Sequence, residues 1–123
     1  MNTALWILQV ILAGAFGSAG LMKLLRTREQ LRERTPYVED FSDGTIRLIG
    51  TLEVLGAIGL ILPAATGILP WLTPVAAVGL VVLMALAAAV HLRRGEKQMV
   101  PVNVVLLVLA LVVAWGRFGP YAL

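Results

Sequence analysis

"IRLIGTLEVLGAIGLILP", residues 46–63, is apolar along its length except for one guanidinium near its start, Arg47, and one carboxyl at its middle, Glu53. As a helix rising 1.5 Å per residue it would extend roughly 27 Å, close to the ~30 Å hydrocarbon thickness of a bilayer. A charged side chain within that layer costs at least ~2.5–3.5 kcal/mol on insertion scales, so it is expected to face the interior of a bundle and to have a partner there. The helical face through Glu53 carries Ile46, Ile49, Gly50, Gly56, Ala57 and Leu60. Small residues one turn above and below the carboxyl let neighbouring helices approach closely. The stretch therefore reads as a membrane-spanning helix with an inward-facing acid.

Composition extends this reading to the whole chain. Of 123 residues, 59% are hydrophobic and 14% charged, too little polar surface for a soluble domain of this size. Cysteine is absent, which removes disulfides, thiol catalysis, iron–sulfur ligation and cysteine-based zinc sites. A single histidine, His91, argues against a multi-histidine centre, and no metal site is expected. The formal charge of +3 comes from residues clustered between apolar runs, with no basic stripe interleaved with aromatics. Membrane lipid, with its anionic head groups, is the expected partner; nucleic acid is not.

Four apolar runs predict an all-α, integral membrane, antiparallel four-helix bundle, with helices at about 3–25, 45–62, 71–92 and 100–115. Residues 1–123 are expected to form a single transmembrane domain. "AGAFGSAG" in the first run has the small residues of a cleavage site, but no basic segment precedes the run, so it reads as a retained helix. Nine of the ten basic residues fall in or beside the first and third connections, and only Arg117 lies elsewhere. The positive-inside rule then predicts a multi-pass protein of the cell membrane, with connections 26–44 and 93–99 cytoplasmic and both termini outside. In "RTREQLRERTPYVEDFSDG", Glu29 and Glu33 support a helical extension that Pro36 stops, and "SDG" makes the turn into the second helix.

The polar residues of the four runs gather by depth. Lys23 ends the first helix, Arg47 begins the second, His91 ends the third and Asn103 begins the fourth, so all four belong to the same side of the membrane; Glu53 is the deepest, about eight residues or roughly 12 Å from that end of the second helix. Gln9, Phe16 and Lys23 share one helical face, as do Thr73, Leu80, Met84 and His91. The expected arrangement is a polar cavity that opens at the cytoplasmic side and narrows to Glu53. Glu53 and His91 are the candidate catalytic residues, with Arg47, Lys23, Asn103 and Gln9 as candidate substrate-binding residues. Each has a plainer alternative: Glu53 as a structural acid bonded to a neighbouring helix, His91 as an interfacial ring, Lys23 as a topology determinant, Gln9 and Asn103 as helix–helix hydrogen-bonders. Arg47 lies about 120° around its helix from Glu53, so it is expected to reach for the head groups instead of that carboxyl.

"GLMKLL" closing the first helix, "RLIGTLEVLGAIGLILP" as the second, "AAAVHLRRGE" closing the third, then Asn103 and "WGRFG", resemble the DoxX-like family of small four-helix membrane proteins. The most distinctive part is the run R-x2-G-x2-E-x2-G-x2-G-L-x2-P from Arg47 to Pro63. The resemblance implies the four-helix fold. It also implies a range of roles: the family takes its name from a subunit of a thiosulfate:quinone oxidoreductase, other members are similar to components of membrane redox complexes, and a eukaryotic branch assists receptor assembly. A thiol relay does not carry over to a chain without cysteine, whereas a quinone needs only an apolar slot with a few hydrogen-bonding groups.

Two classes of function follow. In the first, a lipophilic small molecule enters from the bilayer and meets Glu53 and His91, which could perform acid–base chemistry such as double-bond isomerisation or epoxide opening. No cofactor-binding motif is present; a quinone is one candidate ligand, and its redox chemistry would require an electron-donating partner. In the second, the chain is a non-enzymatic subunit or assembly factor whose helices pack on a membrane protein partner or on a second copy of itself. A proton-coupled transporter is a third option, weakened by the absence of an inverted repeat. A cavity of ~300 Å³ or more reaching Glu53 favours a ligand site, and tight packing around Gly50 and Gly56 favours a structural acid.

Overall fold

The computed structural model of the chain describes residues 2–26 and 41–122. They form four long helices in sequence order: α1 (Asn2–Leu25), α2 (Asp43–Thr66), α3 (Leu72–Arg93) and α4 (Val100–Phe118), with one 3₁₀ turn at Lys97–Met99 before α4. Each helix packs on its sequence neighbours and α4 closes the ring against α1, giving the expected up-down-up-down bundle. All four are long and apolar enough to cross a membrane. The expected extension of the first helix through Glu29 and Glu33, with its stop at Pro36, lies outside the described residues.

The core is a file of aliphatic and aromatic side chains contributed by every helix: Leu12 and Phe16 from α1, Leu60 from α2, Leu80 and Met84 from α3, Val113 from α4. The opposite faces are equally apolar and exposed, with Val10 and Ile11 on α1, Leu52 and Leu55 on α2, Val82 and Leu86 on α3, Val105 and Leu111 on α4. In water such surface would drive aggregation; in a bilayer it is the solvated face. Because lipid is as apolar as leucine, helices cohere through close packing and polar contacts instead of hydrophobic burial.

The closest packing joins α1 to α2. A Cβ placed on Gly20 would lie 2.6 Å from the Gly50 carbonyl oxygen, and one on Gly50 would lie 2.9 Å from the Gly20 carbonyl oxygen. The two backbones therefore touch, which only glycine permits on either side.

The helix ends follow local chemistry. Ser42 caps α2 by accepting the Thr45 N–H on its hydroxyl at 3.2 Å, the use of serine at an N-cap that satisfies an otherwise orphan donor. Helix α2 runs on to Thr66, beyond the end near 62 expected from the apolar run, and carries Pro63 within it. Proline lacks the N–H that would bond the carbonyl four residues earlier, which is that of Gly59. Here the Thr73 hydroxyl of α3 donates to the Gly59 carbonyl at 2.9 Å, so the vacant acceptor is filled from the neighbouring helix and the helix continues. It ends instead at Gly67, whose φ of 73° suits a left-handed cap and whose N–H donates to the Pro63 carbonyl.

Candidate functional site

The Gly20–Gly50 crossing sets the site. One turn beyond each glycine stand Lys23 and Glu53. Side chains in a helix lean towards its N-terminus, and α1 and α2 are antiparallel, so Lys23 leans into the bundle and Glu53 leans towards Lys23. The Lys23 Nζ and a Glu53 carboxylate oxygen meet at 2.7 Å, both side chains almost wholly buried. Glu53 thus has the inter-helix partner that a buried intramembrane acid requires.

The pair forms one wall of a cavity of about 450 Å³. Its polar lining includes Lys23, Glu53, His91 and Asn103, one residue from each helix, together with Arg93. Most of the rest is hydrocarbon, including Phe16, Leu83, Met84, Val90 and Leu106. The volume exceeds the ~300 Å³ expected of a ligand site, although Gly50 and Gly56 are tightly packed against α1 and α3. The cavity and the tight crossing coexist because the glycines meet their neighbouring helices while Glu53 points between them.

His91 is oriented by a residue that spacing along a helix face does not reveal. Helix α3 ends in a turn in which the Glu96 N–H donates to the His91 carbonyl at 2.8 Å and the Gly95 N–H to the Leu92 carbonyl at 3.2 Å. Gly95, with φ of 75°, takes the left-handed position of this six-residue closure. The turn folds Glu96 back over the helix end, where its carboxylate lies 3.0 Å from His91 Nδ1 and 3.4 Å from Arg94 Nε. The signal in the sequence was "HLRRGE": a glycine C-cap followed at once by an acid.

Asn103 is buried at the start of α4, 7% exposed, and its Nδ2 has no hydrogen-bond partner among the described residues. Most buried side-chain amides are satisfied, so this donor stands out among the polar groups that line the cavity.

Two residues expected at the site stand elsewhere. Arg47 is exposed on the outer face of α2 and does not line the cavity, which agrees with its position far around the helix from Glu53. Gln9 shares the buried face of Phe16 and Lys23 but lies about four turns away, near the other end of α1. There its Nε2 donates to the Leu60 carbonyl of α2, and its Oε1 accepts from Arg117 Nε at 2.8 Å. Distance along the helix, not helical face, removes Gln9 from the cavity.

Arg117 is the functional-looking residue that charge counting passed over. It is 3% exposed and ties both ends of the chain together. Besides Gln9 it donates from Nη1 to Asn2 Oδ1 and to the Tyr121 carbonyl at 3.0 Å. Its guanidinium also lies 5.8 Å from the ring centre of Trp6, a cation–π distance. The spacing of Asn103, Ala110, Val113 and Arg117 along α4, all buried, places Arg117 on the inward face, and that pattern was available in the sequence.

The family model described as the DoxX-like family matches residues 7–113. The chain belongs to the DoxX-like family. Its match extends over all four helices and takes in Lys23, Glu53, His91 and Asn103, while Arg117 lies just beyond it. No curated protein and no solved structure matches the chain. Together with four helices apolar enough to span a bilayer, family membership makes this DoxX-like chain a multi-pass integral membrane protein.

Proposed function

We propose that this DoxX-like protein binds a lipophilic small molecule in the cavity beside Glu53. The observation that carries the reading is the cavity of about 450 Å³ whose largely apolar wall is broken by Lys23, Glu53, His91 and Asn103. A mostly apolar concavity with a few convergent polar groups is the usual form of a ligand site. Glu53 and His91 are the groups able to exchange a proton with a bound molecule, so isomerisation or epoxide opening is the catalytic chemistry that fits them. A quinone would find hydrogen-bond donors in Lys23 and Asn103, with its electrons supplied by a partner protein. The excess of basic residues in the connections at this end supports placing it in the cytoplasm and both termini outside the cell membrane.

A second reading is favoured by the Lys23–Glu53 contact beside the Gly20–Gly50 crossing. Glu53 would there serve as an inter-helix clamp that supports assembly, alone or with a partner. Native mass spectrometry of detergent-purified wild type and Glu53→Gln, with solvent extraction of what co-purifies, separates the two. The expected result is a lipophile retained by the wild type and lost from a variant that remains folded. Empty cavities in both proteins, with unchanged folding and oligomeric state, would sink the ligand reading.

A further inference from the structure

The chemistry of the ligand's polar end follows from the wall that would receive it, and this inference rests on the reading of the cavity as a ligand site. Asn103 lines the cavity with a buried Nδ2 that has no hydrogen-bond partner among the described residues. An unmade bond from a buried donor is costly and is relieved by an acceptor oxygen, not by another apolar group. Among the described residues, two cations, Lys23 and Arg93, line the same cavity beside one carboxylate, Glu53. Lys23 lies against that carboxylate and offsets it, so the charge of the lining favours an anion. The lining also includes Ala15, Leu86 and Ala89, which belong to the membrane-spanning parts of α1 and α3; Ala15 and Leu86 are exposed there. The cavity therefore reaches the lipid-facing surface of the bundle.

We infer that the site takes a single-chain amphiphile bearing a carboxylate, of the fatty-acid type. The carboxylate accepts from Asn103 Nδ2 in the field of Lys23 and Arg93, and the hydrocarbon chain passes Ala15 and Leu86 into the bilayer. A neutral amphiphile of the same length satisfies the apolar wall equally well but supplies neither the charge nor the second acceptor oxygen.

The test uses the full chain in nanodiscs of zwitterionic phosphatidylcholine, with radiolabelled palmitate displaced by unlabelled palmitate or by hexadecanol. Saturable binding is expected, with palmitate displacing at least about tenfold better than hexadecanol, the factor that one lost charge-assisted hydrogen bond gives. Asn103→Asp, which puts a second carboxylate in the donor's place, is expected to weaken palmitate by at least the same factor. If that variant does not fold, the palmitate-to-hexadecanol ratio of the wild type decides alone. Equal displacement by the two would overturn the carboxylate assignment while leaving a lipophile site in place. Absence of saturable palmitate binding would overturn it as well; if the wild type nonetheless retains another lipophile that Glu53→Gln loses, the cavity still serves a ligand of different chemistry. If neither experiment detects a ligand, the proposed function falls with the inference.

Discussion

The two ends of this bundle each bury a basic side chain of a terminal helix, and they use it differently. At one end Lys23 of α1 meets a carboxylate, Glu53, beside an open cavity. At the other, Arg117 of α4 meets neutral oxygens of Gln9, Asn2 and Tyr121 and the ring of Trp6; among the described residues it forms no ion pair. A guanidinium presents several donors in a fixed fork, whereas an ammonium is a compact charge on a flexible stem. The fork suits Arg117 to tying α1, α4 and the C-terminal turn together. The single charge suits Lys23 to balancing one acid. One end is closed by a hydrogen-bonded network, and the other leaves a chamber next to an ion pair. A bundle in lipid has little hydrophobic drive to close its own interior, so which end is filled depends on where such networks sit.

This contrast can be broken at the contact that precedes it. Gly20→Leu places side-chain carbon where the Gly50 carbonyl now stands, so α1 and α2 must separate and Lys23 and Glu53 must part. Overpacking of a tight core costs about 1–3 kcal/mol and more where backbone has to move. The expected outcome is loss of monodisperse protein by size-exclusion chromatography in detergent, or a large drop in its melting temperature. Normal folding with an intact ligand complement would mean that the crossing does not set the site.

A sharper comparison comes from Arg117→Met. The substitution leaves Gln9 Oε1 and Asn2 Oδ1 without their donor, and hydrogen bonds to charged groups contribute about 1.5–3 kcal/mol each where they are buried. We expect a loss of about 2–3 kcal/mol in denaturant titration, with no change in what co-purifies at the Lys23 end. A change in the co-purifying molecules would show that the two ends are coupled. The smallest effect is expected from Thr73→Val, which returns the Gly59 carbonyl to the unpaired state that Pro63 imposes. A single neutral bond is worth about 1 kcal/mol. The loss should largely vanish when Thr73→Val is combined with Pro63→Ala, because the N–H restored by the second substitution can bond the Gly59 carbonyl. Failure of that rescue would mean that Thr73 acts elsewhere.

Much of this was legible in the sequence, for a physical reason. In a bilayer backbone polar groups must be satisfied by the protein itself, and a helix satisfies nearly all of them within its own segment, so runs of about twenty apolar residues declare helices without reference to their neighbours. The inward faces were equally readable, because Glu53, Lys23 and His91 are expensive to expose to lipid, and their helical companions Gly50, Phe16 and Met84 share their burial. The continuation of α2 past Pro63 was not legible, because it depends on a partner for the Gly59 carbonyl, and that partner, Thr73, sits on another helix. Gln9 misled because a helical face identifies burial but says nothing about which stratum of the bundle is hollow.

The pattern of apolar runs and charged punctuation is a local property, sufficient for the four helices, their antiparallel order and the inward set Lys23, Glu53, His91 and Asn103. Partnerships are not local. That Lys23 rather than Arg47 meets Glu53, that Glu96 folds onto His91, that Arg117 collects Gln9 and Asn2, and that the space beside Glu53 stays open all depend on how closely particular helices approach. Those approaches are set by contacts such as Gly20 on Gly50, where two backbones touch because neither glycine has a side chain to hold them apart.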